Sequence, residues 1–304
     1  KLFHSPEHPY TRKLVDATPR DGESIRSLLP AESRTPMPPH EIAGDALLKI
    51  INLKKTFAGK SGPVQAVKGI SFDVRRGESV GLVGESGCGK STTSEMLVRL
   101  QDVTSGAIMF DGEDIAAIPV REFGKSPCRR DIQMVFQDAT DSLNPRHTAR
   151  DSVAEPLKRL GGLSGKQLQT RTDELAELVG LPQHLLDRFP HQLSGGQKAR
   201  VGIGRAIALE PRFLILDEPT AALDVSIQAV VLNLLADLRA RLGLSSLFVS
   251  HDLQVVRLLC DRVVVMRGGE IVETGEAEEV MRAPKHPYTA ELIAAAPHPP
   301  IVTS

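Results

Sequence analysis

One run of eight residues constrains this chain more than any other: Gly84-Glu85-Ser86-Gly87-Cys88-Gly89-Lys90-Ser91. It follows the short apolar stretch 79–83 and precedes a helix-forming stretch at 90–100. The run fits G-x-x-x-x-G-K-[ST], and each residue type has a chemical reason. Gly84, Gly87 and Gly89 let the backbone bend until several N–H groups converge. Those donors, with the positive end of the following helix, suit phosphate oxygens. Lys90 adds a point charge at the β/γ-phosphates of a nucleotide, and the Ser91 hydroxyl suits Mg²⁺, which keeps several other oxygen ligands. Glu85, Ser86, Cys88 and Thr92 complete the expected nucleotide-binding segment.

A loop of this kind sits between a strand and a helix, so the fold is expected to be α/β. Strands are predicted at 48–51, 70–74, 79–83, 106–110, 131–136, 212–216, 246–249, 262–266 and 270–274. Helices are predicted at 90–100, over most of 150–186, and at 195–209, 226–241 and 252–259. This alternation implies a largely parallel sheet covered on both faces. With 304 residues, of which 41% are hydrophobic, the chain can bury a sizeable core.

Phe213-Leu214-Ile215-Leu216-Asp217-Glu218 reads as a buried strand ending in two acids. Open α/β sheets bind ligands beyond the carboxyl ends of their strands. Asp217 is then expected to hold Mg²⁺ through water, and Glu218 to polarise an attacking water, which with charge stabilisation is most of what phosphoryl transfer needs. His251 follows the strand at 246–249 and could hydrogen-bond a γ-phosphate oxygen or that water. Position alone suits a surface or capping histidine equally well.

Leu193-Ser194-Gly195-Gly196-Gln197 narrows the reading. Ser194 is placed to cap a helix whose free N–H groups can hold an anion. A second anion site on one chain is redundant unless it serves another molecule's nucleotide. The segment resembles the signature of the ABC ATPases. The resemblance implies a P-loop NTPase with a RecA-like parallel-sheet core, an antiparallel β subdomain and a helical subdomain inserted at about residues 138–196. It implies two ATPase domains paired head to tail, with each ATP between the phosphate loop of one and the signature of the other. Gln137 matches the glutamine loop that senses Mg²⁺ and contacts membrane subunits, which makes it both a catalytic and a metal candidate beside Ser91 and Asp217. Asp224, in Ala222-Leu223-Asp224, matches the loop across the dimer interface. His251 matches the switch histidine. Phe57 matches the aromatic that stacks on adenine, although it reads equally as a core strand residue.

Ser142-Leu143-Asn144-Pro145-Arg146, Glu155-Pro156-Leu157 and His286-Pro287-Tyr288-Thr289 resemble the dipeptide, oligopeptide and nickel branch of importer ATPases. Residues 3–19 repeat residues 281–297 at an offset of 278, with eight of 17 positions identical. A repeat at so long a period suggests tandem domains. The expected organisation is the tail of a preceding ABC domain at 1–19, a flexible Pro-rich linker at 20–45, an ABC ATPase domain at 46–297 and a tail at 298–304. Fused pairs of this kind resemble the glutathione-import and microcin-C-type peptide transporter ATPases.

The implied function is ATP-driven import of peptides or peptide-like solutes, with nickel or another small solute as the alternative within the branch and a soluble, non-transport ABC ATPase as the alternative outside it. The implied partners are a second ABC ATPase domain, two integral-membrane permease subunits and, indirectly, an extracytoplasmic solute-binding protein. The implied location is the cytoplasmic face of the membrane, held peripherally, since no stretch approaches the roughly 20 apolar residues of a membrane helix. A net charge of −1 gives no reason to expect nucleic acid, and no long coiled coil of the DNA-repair type fits between Ser91 and Ser194. Cys88, Cys128 and Cys260 are widely spaced and read as reduced thiols. No cysteine follows Pro287, so no iron–sulfur cluster is expected.

Overall fold

The computed structural model describes residues 24–36, 39, 41–59 and 62–295, together with the isolated positions 8 and 18. The elements that position the site are, in chain order, β1 (Ala46–Gly59), β2 (Gly62–Arg75), β3 (Ser79–Val83), α1 (Lys90–Leu97), β4 (Ser105–Phe110), β5 (Glu113–Asp114), β6 (Ile132–Val135), α2 (Ala149–Arg159), α3 (Gly165–Leu178), α4 (Gly195–Ile207), β7 (Phe213–Asp217), α5 (Val225–Leu242), β8 (Ser245–Ser250), α6 (Leu253–Leu259), β9 (Arg262–Arg267), β10 (Glu270–Glu276), α7 (Ala277–Arg282) and α8 (Pro287–Ala295).

Two sheets form. The larger has the order β10-β9-β3-β8-β7-β6. Its neighbours pair in parallel except β10, which returns antiparallel along β9. The smaller sheet, β2-β1-β4-β5, is antiparallel. The expected α/β architecture with a parallel core and an antiparallel β subdomain is therefore present.

Strand periodicity divides the interior into two cores. Side chains alternate across a sheet with period two. In β7, Leu214 and Leu216 face the core shared with α2, α4 and α5, while Phe213 and Ile215 face the core shared with the antiparallel sheet. In β9, Val263 and Val265 take the first side and Val264 and Met266 the second. Strands buried on both faces carry no polar position to spare, which is why they read as continuous apolar runs.

Three local differences from the sequence reading have physical causes. The β1–β2 hairpin runs far beyond the predicted 48–51 and 70–74, because its outer half is solvent-exposed and carries polar residues such as Lys54, Lys55 and Thr56 that hide a strand pattern. The stretch 150–186 is not one helical block. It breaks after Arg159 and after Leu178, where Gly162 and Gly180 adopt positive φ of 70° and 64°. Residues 24–36 lie inside the expected flexible linker, yet Ile25 and Leu28 are 3% and 2% exposed and join the core around α5. A single 3₁₀ turn, Ile25–Leu28, puts both on one side. Arg26 pairs with Asp237, and buried Asn233 donates to the Ile25 carbonyl at 2.9 Å.

Candidate functional site

The phosphate loop leaves β3 and enters α1, as its motif requires. Gly84, Gly87 and Gly89 all take positive φ, of 150°, 79° and 108°. At two of them the neighbours also exclude a side chain. A Cβ on Gly84 would lie 2.2 Å from the Met266 carbonyl oxygen, and one on Gly89 would lie 2.5 Å from the Ala66 carbonyl oxygen. Lys90, only 6% exposed, donates from Nζ to the Gly84 carbonyl at 2.7 Å and the Glu85 carbonyl at 3.0 Å. The ammonium is thus held over the loop, and Ser86 and Gly87 form its exposed tip.

Asp217 ends β7 beneath this loop and is 5% exposed. The Ser91 hydroxyl hydrogen-bonds its carboxylate. Among the described residues no group bonds the buried Oδ1 of this carboxylate. Burial, then the charge of Glu218, pushes the Asp217 carboxyl up to about 6. A buried carboxylate oxygen without a partner costs free energy unless a cation or proton reaches it. Ser91 and Asp217 together offer a hydroxyl and a carboxylate, the hard oxygen donors that suit Mg²⁺.

Glu218 follows with φ of 45°, a left-handed conformation that costs a side-chain-bearing residue about 1–2 kcal/mol. Its N–H donates to the Val249 carbonyl at 2.9 Å, which fixes the turn against β8. The turn aims the carboxylate at two residues from other elements. Oε1 lies 3.2 Å from His251 Nδ1, and Oε2 accepts from Gln137 Nε2 at 3.1 Å. The Glu218 side chain is 16% exposed and that of His251 63%. Three residues singled out separately in the sequence therefore meet at one carboxylate.

The signature segment is built by two adjacent helix starts. Ser194 caps α4: its hydroxyl accepts from the Gln197 N–H at 3.4 Å, and the Gln197 side chain accepts from the Ser194 N–H at 2.9 Å. Leu193 is buried. A Cβ on Gly195 would lie 3.1 Å from Leu223, and one on Gly196 would lie 2.5 Å from Ile227. The glycines thus let α4 approach the start of α5. Asp224 caps α5, accepting from the Ile227 N–H at 3.1 Å and the Ser226 hydroxyl at 2.7 Å. Those bonds hold its carboxyl below the usual range, the Ser226 hydroxyl most of all. Among the described residues these neighbours of Gly195 and Gly196 belong to α5 and the turn before it, not to the phosphate loop of the same chain.

Phe57 is 36% exposed on the outer half of β1, with Lys55 Nζ 4.9 Å above its ring, so it is not a core strand residue. Its strand partner Val64 lies two residues before Ala66, whose carbonyl faces Gly89. Thr92 is half-buried in the first turn of α1. Cys88, Cys128 and Cys260 are free and buried. A groove of about 960 Å³ opens beside the site, lined by Ser91, Gln137 and Asp217 at one end and by Phe123, Phe136 and Arg159 beyond.

Tyr288 is the site neighbour that sequence reasoning missed. Its hydroxyl accepts from the Glu85 N–H at 3.0 Å. The contact joins residues 203 apart, and only the His-Pro-Tyr-Thr repeat hinted that the segment mattered.

Known proteins share stretches of this sequence and its fold. The ABC transporter model matches residues 67–221, and the model of the oligopeptide/dipeptide transporter C-terminal region matches residues 1–44 and 272–302, the two segments that contain the repeat. The glutathione import ATP-binding protein GsiA of Escherichia coli O6:H1 is 43% identical over 98% of this chain and 50% of its own length. GsiA of Shigella flexneri is also 43% identical over the same shares. The chain thus spans about half the length of these relatives. Among solved structures, the dimeric ATP-binding cassette MJ0796 bound to ADP and Pi superposes with a TM-score of 0.69 at 32% identity, covering 76% of this chain and 98% of its own. CbiO1 of Clostridium perfringens, part of the ABC transporter complex cbiONQ, gives 0.67 at 31% identity, covering 79% and 92%. Matched over half its length by the family model and along its tail by the transporter C-terminal region, the chain belongs to the ABC transporter family.

Proposed function

We propose that this chain binds and hydrolyses ATP to power import of a peptide or peptide-like solute. The observation that carries the reading is the convergence of Gln137 and His251 on Glu218, beside the Ser91–Asp217 pair.

Each residue has a task that its geometry supports. The loop 84–92 holds the phosphates through its backbone donors, and Lys90 exchanges its loop carbonyls for phosphate oxygens. Ser91, Asp217 and Gln137 are the residues that would hold Mg²⁺, which when bound neutralises charge on the β- and γ-phosphate oxygens. Glu218, its carboxylate held from both sides, accepts hydrogen bonds from the attacking water and orients it for in-line attack. With Nδ1 engaged by Glu218, the Nε2 of His251 is left to contact that water or a γ-phosphate oxygen. Phe57 stacks on adenine from the exposed end of the hairpin.

The signature residues Leu193–Gln197 face a second cassette's ATP, and Asp224 lies at the same interface. The dimeric state of MJ0796 and the half-length match to GsiA support a partner ATPase unit, fused on the N-terminal side, whose tail is residues 1–19. Two permease subunits complete the machine, and the groove beside Gln137 is where their motion would couple to the site. Among the described residues no helix is long and apolar enough to cross a membrane. In this reading the permease subunits hold the chain peripherally at the cytoplasmic face. Glutathione import, the function GsiA is named for, favours a glutathione-like or peptide solute.

Nucleotide binding and phosphate release, measured together, test the reading. Lys90→Ala is expected to remove ATP binding. An unsubstituted chain that binds MgATP without releasing phosphate in the assembled transporter would sink the hydrolytic assignment.

A further inference from the structure

The His-Pro-Tyr-Thr motif has no task in the site as proposed. Tyr288 is 2% exposed, with the Arg267 guanidinium 4.7 Å above its ring. Its hydroxyl accepts from the Glu85 N–H at 3.0 Å. That N–H belongs to the same peptide unit as the Gly84 carbonyl, and the carbonyl accepts from Lys90 Nζ at 2.7 Å. In a planar peptide the N–H and C=O point to opposite edges. Tyr288 thus grips one edge of the plane whose other edge grips the lysine.

The rest of the motif holds the tyrosine in place. Glu273, buried in β10, accepts from the N–H groups of Lys285 at 2.7 Å and His286 at 3.0 Å. His286 Nδ1 accepts from the Tyr288 N–H at 3.2 Å. Pro287 opens α8, where a missing N–H costs nothing. The earlier copy keeps His8-Pro9-Tyr10-Thr11 but changes the flanks, with Glu7 opposite Lys285 and Arg12 opposite Ala290. The repeated tetrad thus includes His286, Pro287 and Tyr288, whose contacts seat the tyrosine, while Glu273 on β10 lies outside it. Two further contacts tie the same region to the loop: the Gly269 N–H donates to the Cys88 carbonyl at 3.0 Å, and the Met266 carbonyl fills the space beside Gly84.

We propose that Tyr288 is a positioning residue of the phosphate loop: its hydroxyl fixes the Gly84–Glu85 peptide, and through it the Lys90 ammonium, in the orientation that receives nucleotide phosphates. The inference rests on the ATP-binding reading above.

Tyr288→Phe in the full chain keeps the ring under Arg267 and removes only the hydroxyl. Leaving the Glu85 N–H without its acceptor loosens the loop. The KM for ATP is expected to rise about five- to tenfold, with kcat at saturating ATP within about twofold and melting within a few degrees of the parent. Amide exchange at Glu85 gives a second readout: slow in the parent, accelerated in Tyr288→Phe. If the variant does not fold, a Glu85 amide that exchanges fast in the parent still overturns the inference. An unchanged KM in a folded variant overturns it too, leaving Tyr288 a tie for the C-terminal helix. A parent chain that binds no ATP overturns the functional reading and this inference together, an outcome the parent titration alone identifies.

Discussion

Glu218 Oε1 lies 3.2 Å from His251 Nδ1, and this single contact ties together the carboxyl ends of β7 and β8. Gln137, from the segment after β6, takes the other carboxylate oxygen. Residues that act through one carboxylate are expected to be strongly non-additive. His251→Ala should lower ATP turnover by about 10²-fold, the lower end of what a positioned acid–base group contributes. Adding it to Glu218→Gln should cost less than about threefold more. Steady-state phosphate release by the two single variants and the double variant checks this. Multiplying losses would mean that His251 acts elsewhere.

Asp217 predicts a pH dependence. Its carboxyl is raised from 3.8 to about 6, chiefly by burial. A raised carboxyl binds its proton more tightly in the folded than in the unfolded chain. The destabilisation is therefore full above about pH 6, shrinks as pH falls through the window to 3.8, and is gone below it. Asp217→Asn should stabilise the nucleotide-free protein at pH 7.5 by at most about 3 kcal/mol. The same substitution should remove Mg²⁺-dependent nucleotide affinity. In the parent, that affinity should weaken by about tenfold per pH unit below pH 6, where the metal competes with the proton. Denaturant melts and nucleotide titrations at several pH values check both statements.

The signature helix combines a cap with a close approach. Ser194→Ala removes the cap of α4 and should cost about 1 kcal/mol of stability. Gly196→Ala forces a methyl to within 2.5 Å of Ile227 and should cost about 1–3 kcal/mol. Under the paired-cassette reading, Ser194→Ala should also lower turnover without weakening ATP binding to its own phosphate loop. An equal loss in own-site affinity would contradict the assignment to a partner's nucleotide.

The strap at residues 24–36 predicts protection from protease. Trypsin cleavage after Arg26 requires undocking Ile25 and Leu28 and breaking the Arg26–Asp237 pair. Burying one such side chain is worth about 1.5–3 kcal/mol. Leu28→Ser should therefore accelerate cleavage after Arg26 at least about tenfold, with little change at exposed sites. Equal cleavage rates would show that the segment does not dock.

Much of this site was legible because its chemistry is local. The glycine spacing of 84–91, the apolar run ending in Asp217 and Glu218, and the Ser194 cap are all contiguous signals. What stayed illegible depends on tertiary placement. No pattern in sequence connects Gln137 to Glu218, or Tyr288 to Glu85, because these pairs lie 81 and 203 positions apart. The outer half of the β1–β2 hairpin has one solvated face and so lacks the apolar alternation that marks a half-buried strand. Residues 24–36 read as a Pro-rich linker, since two apolar side chains in one short turn make too brief a pattern to announce a docking surface. Phe57 was ambiguous for the converse reason: strand periodicity does not say which face meets solvent until the second sheet is in place.

Phosphate release from MgATP by the full polypeptide, set beside ATP binding for the parent and Glu218→Gln, decides whether the Glu218 carboxylate drives hydrolysis. The parent is expected to turn over, Glu218→Gln to lose at least about 10²-fold in turnover, and both to bind ATP with similar affinity. Wild-type turnover by Glu218→Gln would contradict the assignment of Glu218 as the residue that orients the attacking water.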